Sequence, residues 1–193
     1  MSAPFADSKV LAILDRADPF SAAADEPSVR EQDIRELARV PGAEEVLVAV
    51  ARDSAAATAR RYAAAEALLQ GRFANWRSST ADRRAVATAL AAAMNNDTTH
   101  NRWGIPGHSL GRLGEQLLSL PEGVEALMPL LDETTTLNIE GSEAATLQSA
   151  ARYRISDLAA YLLSRYRGLP WEAHTDVAQR DAAIAALRAK LRP

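Results

Sequence analysis

The sequence has no cysteine, and this absence removes several kinds of chemistry at once. The chain can have no disulfide bond, no thiolate zinc site and no cysteine nucleophile. A cysteine-free composition also fits a reducing compartment. The first residues lack the basic segment and apolar stretch of a secretory signal. We therefore expect a cytoplasmic protein.

Long apolar runs, lysine and aromatic residues are also scarce. No run approaches the eighteen or so uncharged apolar residues that a membrane-spanning helix needs, so no membrane partner is expected. The net charge of −3 argues against general affinity for nucleic acid, although it does not exclude a local basic patch. The alanine- and arginine-rich, lysine-poor composition suggests a GC-rich genome and a bacterial origin.

Alanine supplies about a fifth of the residues, and it is the best helix former. β-branched residues are sparse, and no alternating strand pattern stands out. At 193 residues the chain is long enough for one domain with a substantial core. The composition predicts a single all-α domain.

The strongest pattern is a helical motif that recurs about every 40 residues. In its first copy, an apolar helix predicted over 43–52 precedes an Asp-Ser turn and an alanine-rich helix over 56–70, with Gly71 as a left-handed C′ residue. Looser copies predict helices over 80–94, about 106–120, 122–132 and 155–167. A repeat of this period is typical of a solenoid, in which each hairpin buries its apolar face against a neighbour.

The predicted fold is therefore a right-handed α-α superhelix, a short solenoid of about three to four helical hairpins closed by a C-terminal capping helix. Its segments are an N-terminal helix (7–17) and linker within 1–27, hairpins over 28–71, 79–120 and 121–168, and the capping helix over 175–191.

Several helix ends are predicted from single residues. Ser28 and Glu31 form a capping box for the helix that follows them. Pro106 suits a first helical turn, and Pro129 predicts a kink or an early end. Thr175 is the expected cap of the last helix.

Four residues within the predicted helices bear on packing. Glu66 shares a face with apolar residues and is expected at a rim. Gly111 and Gly114 inside a helix imply either a close packing contact or the approach of a ligand. Val177 is expected to point inward from the last helix.

The 43–71 segment resembles the HEAT repeat family. The likeness rests on Arg52-Asp53 at the turn and on the Arg60–Leu68 stretch of the second helix, and it is looser elsewhere. The resemblance implies an α-solenoid whose second helices line a concave surface. HEAT-like proteins mostly bind partners there, and a minority are enzymes, including DNA alkylpurine glycosylases and bilin lyases.

Charge is sorted between the two helices of each predicted hairpin. The first-helix segments 42–53, 79–97 and 121–133 carry three arginines against nine acidic residues, whereas 54–72, 102–120 and 152–167 carry nine arginines against three. The planar arginine fork suits carboxylate and phosphate groups. We expect a positive concave face that receives an acidic partner; the alternative is that these arginines pair with the acidic first helices.

The 95–108 segment concentrates unusual side chains. His100 and His108 could ligate a metal with Asp97, or one could act as a base. Their spacing matches no known ligand motif, and the alternative is a turn in which polar side chains bond local backbone and Trp103 packs as a wedge. We expect no metal, no cofactor and no catalytic residue here.

A second insert, from Glu133 to Arg154, is about twenty residues long, and connections of this length are typical of functional or disordered segments. Arg152, Tyr153 and Arg154 precede a predicted helix, where free N–H groups could bind an anion. In the alternative, Ser156 or Asp157 caps the helix and the arginines are solvated or paired.

The sequence thus predicts a non-catalytic binding or scaffold module that recognises a protein or peptide partner. The other hypothesis is a HEAT-like enzyme, or a binder of nucleic acid or small anions, that uses the 95–108 and 133–154 inserts. The candidate partner- or anion-binding residues are Arg60, Arg61, His100, Arg102, Trp103, His108, Arg112, Arg152, Tyr153 and Arg154.

Overall fold

A computed structural model describes residues 4–17, 20 and 27–191. The structure is mostly helical, with 63% of residues in helices, which confirms the all-α prediction. The predicted end of the first helix at Asp18-Pro19 and most of the predicted linker lie outside the described residues. No helix in the described part is both long and apolar enough to cross a membrane.

Ten α-helices, two 3₁₀ turns and one small β-hairpin follow one another along the described chain. They are α1 (Pro4–Leu14), α2 (Glu31–Leu37), α3 (Ala43–Arg52), α4 (Thr58–Gln70), a 3₁₀ turn (Asn75–Ser78), α5 (Thr80–Met94), β1 (Gly104–Ile105), β2 (Ser109–Leu110), α6 (Arg112–Leu118), α7 (Gly123–Leu127), a 3₁₀ turn (Met128–Asp132), α8 (Ser142–Ala151), α9 (Ile155–Arg167) and α10 (Val177–Leu191).

Helices α1, α3, α5 and α7 contact one another in succession. Arg52 of α3 pairs with Asp82 of α5. From α5, Arg83 Nη2 lies 2.8 Å from Glu122 Oε1, beside α7, and Arg84 Nε lies 2.9 Å from Glu125 Oε2. The ion pairs thus link α3 to α5 and α5 to α7, which are the acidic first helices of the predicted hairpins.

The core lies between this row and a second set of helices. Helix α4 packs against α3 and α5, and α9 packs against α6, α7 and the second 3₁₀ turn. Seven consecutive residues of α4, from Tyr62 to Leu68, are buried. Four of the seven are alanine, whose small side chain lets neighbouring helices approach α4 on every side.

The regular helices follow the sequence prediction closely. The structure places α3, α5 and α9 over the residues predicted for them. The helix expected over 122–132 ends early: α7 stops at Leu127, and the chain continues as a 3₁₀ turn with Pro129 in its first positions. This outcome agrees with the prediction from proline, which has no N–H to donate.

The predicted helix over 106–120 is wrong in its first half. Residues 104–110 form the β1–β2 hairpin, and α6 begins only at Arg112. Gly104 in β1 and Gly107 in the turn have φ of 123° and 76°, conformations that favour glycine over other residues. Pro106 therefore lies in a hairpin turn, not in a helical turn.

Two predicted helix ends and one predicted rim position are also wrong. Ser28 does not cap α2, because its backbone N–H and its hydroxyl both donate to Glu66. Glu66 is therefore completely buried. Gly71 has φ of −74° and is not left-handed, although it still follows the last residue of α4.

The last helix begins two residues later than predicted. The Asp176 carboxylate, not Thr175, accepts the Gln179 N–H at 2.9 Å as the N-terminal cap. Val177, expected to point inward, is 48% exposed. Ile184 and Leu187 of the same helix are buried.

The long 133–154 insert is a folded part of the protein. It contains α8, and its two ends are joined by a hydrogen bond of 2.8 Å from the Leu137 N–H to the Tyr153 carbonyl. A β-bridge between Thr136 and Arg154 adds to this closure. The insert is thus a small helical excursion that returns to the start of α9.

Candidate functional site

The side chains of the 95–108 insert form a buried polar network. The Trp103 indole N–H donates to Asp97 Oδ2 at 2.8 Å, and Arg102 Nε lies 3.2 Å from the same oxygen. Burial raises the pKa of Asp97, against the opposing effects of Trp103 and Arg102. The side chains of Arg102 and Trp103 are both completely buried.

His100 is held entirely by backbone groups. Its Nδ1 accepts the Asn138 N–H at 3.0 Å, and its Nε2 lies 3.1 Å from the Met94 carbonyl. The neutral tautomer with hydrogen on Nε2 satisfies both contacts. Burial lowers the pKa of His100 below its usual value near 6.5. This environment favours the neutral ring.

His100, Arg102 and Trp103, predicted to contact a partner, are buried inside the protein and offer no exposed surface for one. Their role here is to fix the insert against the helices, as the turn-and-wedge alternative proposed. A Cβ added to Gly114 would lie 2.3 Å from the Trp103 carbonyl oxygen. Close packing, not the approach of a ligand, therefore explains this helical glycine.

The second predicted site, at the start of α9, is closed by its own side chains. Tyr153 is buried, and the Arg180 guanidinium carbon lies 5.3 Å from its ring centre. The Asp157 carboxylate accepts the Arg154 N–H at 2.8 Å and also pairs with the Arg154 side chain. Of the three residues predicted to bind an anion at 152–154, only Arg152 is exposed, while Tyr153 is buried and Arg154 is paired with Asp157.

The arginines predicted to line a concave face are mostly paired within the protein. Arg60 Nη2 lies 2.7 Å from Asp15, and Arg112 Nη2 lies 2.7 Å from the buried Glu66. Arg61 donates to the Ala51 carbonyl at 3.3 Å. Arg60, Arg61 and Arg112 thus have partners within the protein, Arg60 in a solvent-exposed pair and Arg112 with a buried carboxylate. His108 is exposed and is placed on the β1–β2 turn.

An excess of positive charge lies elsewhere, in a groove of about 660 Å³ between α1 and α2. Five cationic side chains and two carboxylates line this groove, which we call the basic groove. Its charged residues are Lys9, Arg16, Arg30, Arg35 and Arg39 with Asp33 and Glu36.

The two carboxylates hold the floor of the basic groove together. Asp33 is buried, and its oxygens lie 2.9 Å from Arg16 Nη2 and 3.0 Å from Arg30 Nε. Burial acts to raise the pKa of Asp33, but the hydrogen bonds from the two arginines outweigh it and lower the pKa. Glu36 accepts from Arg16 at 3.2 Å and lies 3.4 Å from Lys9 Nζ.

The remaining donors of the basic groove face solvent. The side chains of Arg30 and Arg35 are 60% and 62% exposed, and Arg35 makes a solvent-exposed ion pair of 3.0 Å with Glu31. Arg39 makes no ion pair or side-chain hydrogen bond with any described residue. Guanidinium groups in this arrangement can bind carboxylates through paired N–H donors.

Sequence reasoning missed the basic groove because it counted charge only in helix segments that begin at residue 42. The spacing of Arg35 and Arg39 by four residues is the sequence signal that could have found it, although Arg39 lies just beyond the end of α2. The contribution of Lys9 and Arg16 depends on how α1 packs against α2, and no local pattern encodes that packing.

Comparisons of the chain with protein-family models, curated proteins and solved structures found no match. The resemblance to HEAT repeats therefore stays a prediction. Among the described residues, no group of three or more histidine, aspartate or glutamate side chains is arranged to hold a metal ion.

Proposed function

We propose that the chain is a non-catalytic binding module that holds an acidic segment of a protein partner in the basic groove. The excess of cations in this groove is the observation that carries the proposal. An acidic partner is also the one expected from the sequence. The proposed binding site, however, lies at the α1–α2 end and not on the second helices of the hairpins.

The proposed architecture is a short right-handed α-solenoid. The ion pairs that join α3 to α5 and α5 to α7 support it, because they connect first helices across 30, 39 and 41 residues of sequence. These separations are close to the repeat length predicted from the sequence. In such a scaffold the terminal helices α1 and α2 have one covered side and one side available to a partner.

Acidic peptides test the basic groove directly. We expect a fluorescent peptide of alternating glutamate and alanine to bind, as measured by anisotropy, and the matched glutamine–alanine peptide not to bind. Added salt should weaken the interaction because it screens exposed charges. The double variant Arg35→Gln/Arg39→Gln should lower affinity about tenfold, the effect of losing charge-assisted hydrogen bonds.

The control variant carries the same change in net charge outside the groove. Arg72→Gln/Arg152→Gln removes two exposed arginines and should leave the affinity unchanged. An equal loss in the two double variants would refute a specific groove. Displacement of the peptide by a single-stranded oligonucleotide, with a steeper salt dependence, would instead favour nucleic acid as the partner.

A further inference from the structure

A second cleft, of about 480 Å³, lies on a different part of the molecule from the basic groove. It opens where the β1–β2 turn, α6, α9 and the segment after α9 meet. The side chains that bear on its chemistry are His108, Ser109, Glu115, Tyr161, Arg165 and Trp171. We call it the α6–α9 cleft.

Two hydrogen-bond donors of the α6–α9 cleft have no acceptor within the described protein. The Tyr161 ring is largely buried, but its hydroxyl is accessible at the cleft and makes no hydrogen bond with a described residue. The Trp171 indole N–H is buried and likewise has no partner among these residues. A buried indole N–H usually has an acceptor, and the Tyr161 hydroxyl beside it is free to donate to a ligand in the cleft.

The charged residues of the α6–α9 cleft are also uncompensated. Arg165 makes no ion pair with the described residues, unlike Arg60, Arg112 and Arg154. Glu115 lines the same cleft, yet it lies beyond ion-pair distance of Arg165. The fold thus keeps one cation and one carboxylate apart in a single cleft.

From this arrangement we propose that the α6–α9 cleft binds a small zwitterionic ligand of the amino acid and short peptide class. The ligand carboxylate accepts hydrogen bonds from Arg165 and Tyr161, and its ammonium group pairs with Glu115. The cleft volume falls within the usual range for small-molecule sites, about 300–1,000 Å³. The proposal does not depend on an acidic partner in the basic groove, because the two sites share no residue.

Trialanine and its two end-blocked forms test the proposal charge by charge. Trialanine has both end charges, N-acetyl-trialanine keeps only the carboxylate, and trialanine amide keeps only the ammonium group. Titration is followed by NMR of the three tryptophan indole N–H signals, with Trp171→Phe identifying the relevant one. We expect trialanine to shift the Trp171 signal and to bind about tenfold more tightly than either blocked form.

Variants test which residue of the cleft binds the carboxylate of the ligand and which binds its ammonium group. Arg165→Gln should weaken trialanine about tenfold, and Tyr161→Phe should weaken it less while keeping the buried ring in place. Glu115→Gln should abolish the preference for trialanine over N-acetyl-trialanine. Arg167→Gln, which removes an arginine two residues along α9 and outside the cleft, is the control and should bind like the wild type.

Three results would overturn the proposal. The first is no shift of the Trp171 signal at millimolar trialanine while the protein stays folded. The second is equal binding of trialanine and N-acetyl-trialanine, which would mean that only the carboxylate is recognised. The third is equal affinity in Arg165→Gln and Arg167→Gln, which would exclude Arg165 from the site.

Discussion

His100 and Asn138 are joined by two hydrogen bonds, one in each direction. The His100 backbone N–H donates to the Asn138 carbonyl at 2.7 Å, and the Asn138 N–H donates to His100 Nδ1 at 3.0 Å. The second bond requires Nδ1 to be unprotonated. The contact between the 95–108 and 133–154 inserts therefore depends on a neutral imidazole.

We expect the stability of the protein to fall in mild acid because of His100. Burial lowers its pKa in the folded protein below the usual value near 6.5, so the unfolded chain takes up the proton first. The stabilisation is complete above about pH 6.5 and is lost as the pH falls toward the folded pKa, by at most about 1.4 kcal/mol per pH unit. Urea unfolding across this range measures the slope.

His100→Gln isolates this contribution, because glutamine keeps a polar side chain but does not titrate. The variant should show a shallower loss of unfolding free energy below neutral pH than the wild type. Parallel curves for the two proteins would contradict the prediction. Asp97, which also lies in the network, has a raised pKa and acts with the opposite sign at lower pH.

The packing of Gly114 predicts that alanine at this position destabilises the protein, whereas helix propensity alone predicts that it stabilises the protein. Alanine in a helix interior is normally better than glycine by about 1 kcal/mol. Here the added Cβ would lie 2.3 Å from the Trp103 carbonyl oxygen and 3.0 Å from Leu162. We expect Gly114→Ala to destabilise the protein by about 2 kcal/mol or more in chemical unfolding.

Gly42 provides the comparison. It has φ of 78°, and a Cβ there would meet only a glutamate oxygen at 3.9 Å. Gly42→Ala should therefore cost about 1–2 kcal/mol for the left-handed backbone alone. A stabilising Gly114→Ala would show that the Trp103 backbone can move aside.

The parts of the fold that the sequence predicted well are those that local patterns specify. Helices α3, α5 and α9 have apolar residues at helical spacing and clear ends, so their ranges could be read directly. The hairpin at 104–110 could not, because its glycines and Pro106 also fit the start of a helix. The hairpin is accompanied by the close approach of α6 to the Trp103 backbone, a long-range contact that no local sequence pattern shows.

The candidate sites were predicted less well because ion pairing over long sequence distances determines which arginines are free. Arg112 meets Glu66 across 46 residues, and Arg60 meets Asp15 across 45. A count of charge along a helix cannot detect these partners. Arg30, Arg35 and Arg39 lie before residue 42, outside the segments in which charge was counted, and therefore received no weight.

The Glu66–Arg112 pair should contribute more to stability than the exposed pairs between helices. Glu66 is completely buried and accepts hydrogen bonds from Ser28 as well as Arg112. Glu66→Gln should cost about 2–4 kcal/mol of unfolding free energy, because it leaves a charged partner without its counterion. Guanidinium unfolding of the variant measures the loss.

Glu125→Gln is the matched control. Glu125 pairs with Arg84, but both side chains are more than half exposed, and such pairs contribute about 0–1 kcal/mol. Similar losses for Glu66→Gln and Glu125→Gln would show that burial does not strengthen the Glu66 interaction. A double-mutant cycle with Arg112→Gln then separates the ion pair from the Ser28 contacts.

Arg180 should hold α10 on the rest of the protein. Its side chain is fully buried, and Nη1 donates to the carbonyls of Ala151, His174 and Thr175 at 2.8–3.1 Å. Its Nε lies 3.2 Å from Asp157. Lysine has one side-chain nitrogen and cannot both donate to these carbonyls and keep a nitrogen beside Asp157, so Arg180→Lys should lower the unfolding free energy by about 2–4 kcal/mol.

Hydrogen exchange locates this loss of stability. In Arg180→Lys, amides of α10 should exchange faster than in the wild type, with smaller changes in α3 and α5, because the lost bonds join α10 to the end of α8 and the start of α9. Arg188→Lys is the control on the same helix. Arg188 pairs with the exposed Asp132, so the hydrogen-exchange pattern of the Arg188→Lys variant should stay close to that of the wild type. Uniform acceleration across all helices in Arg180→Lys would mean that α10 unfolds only with the whole protein.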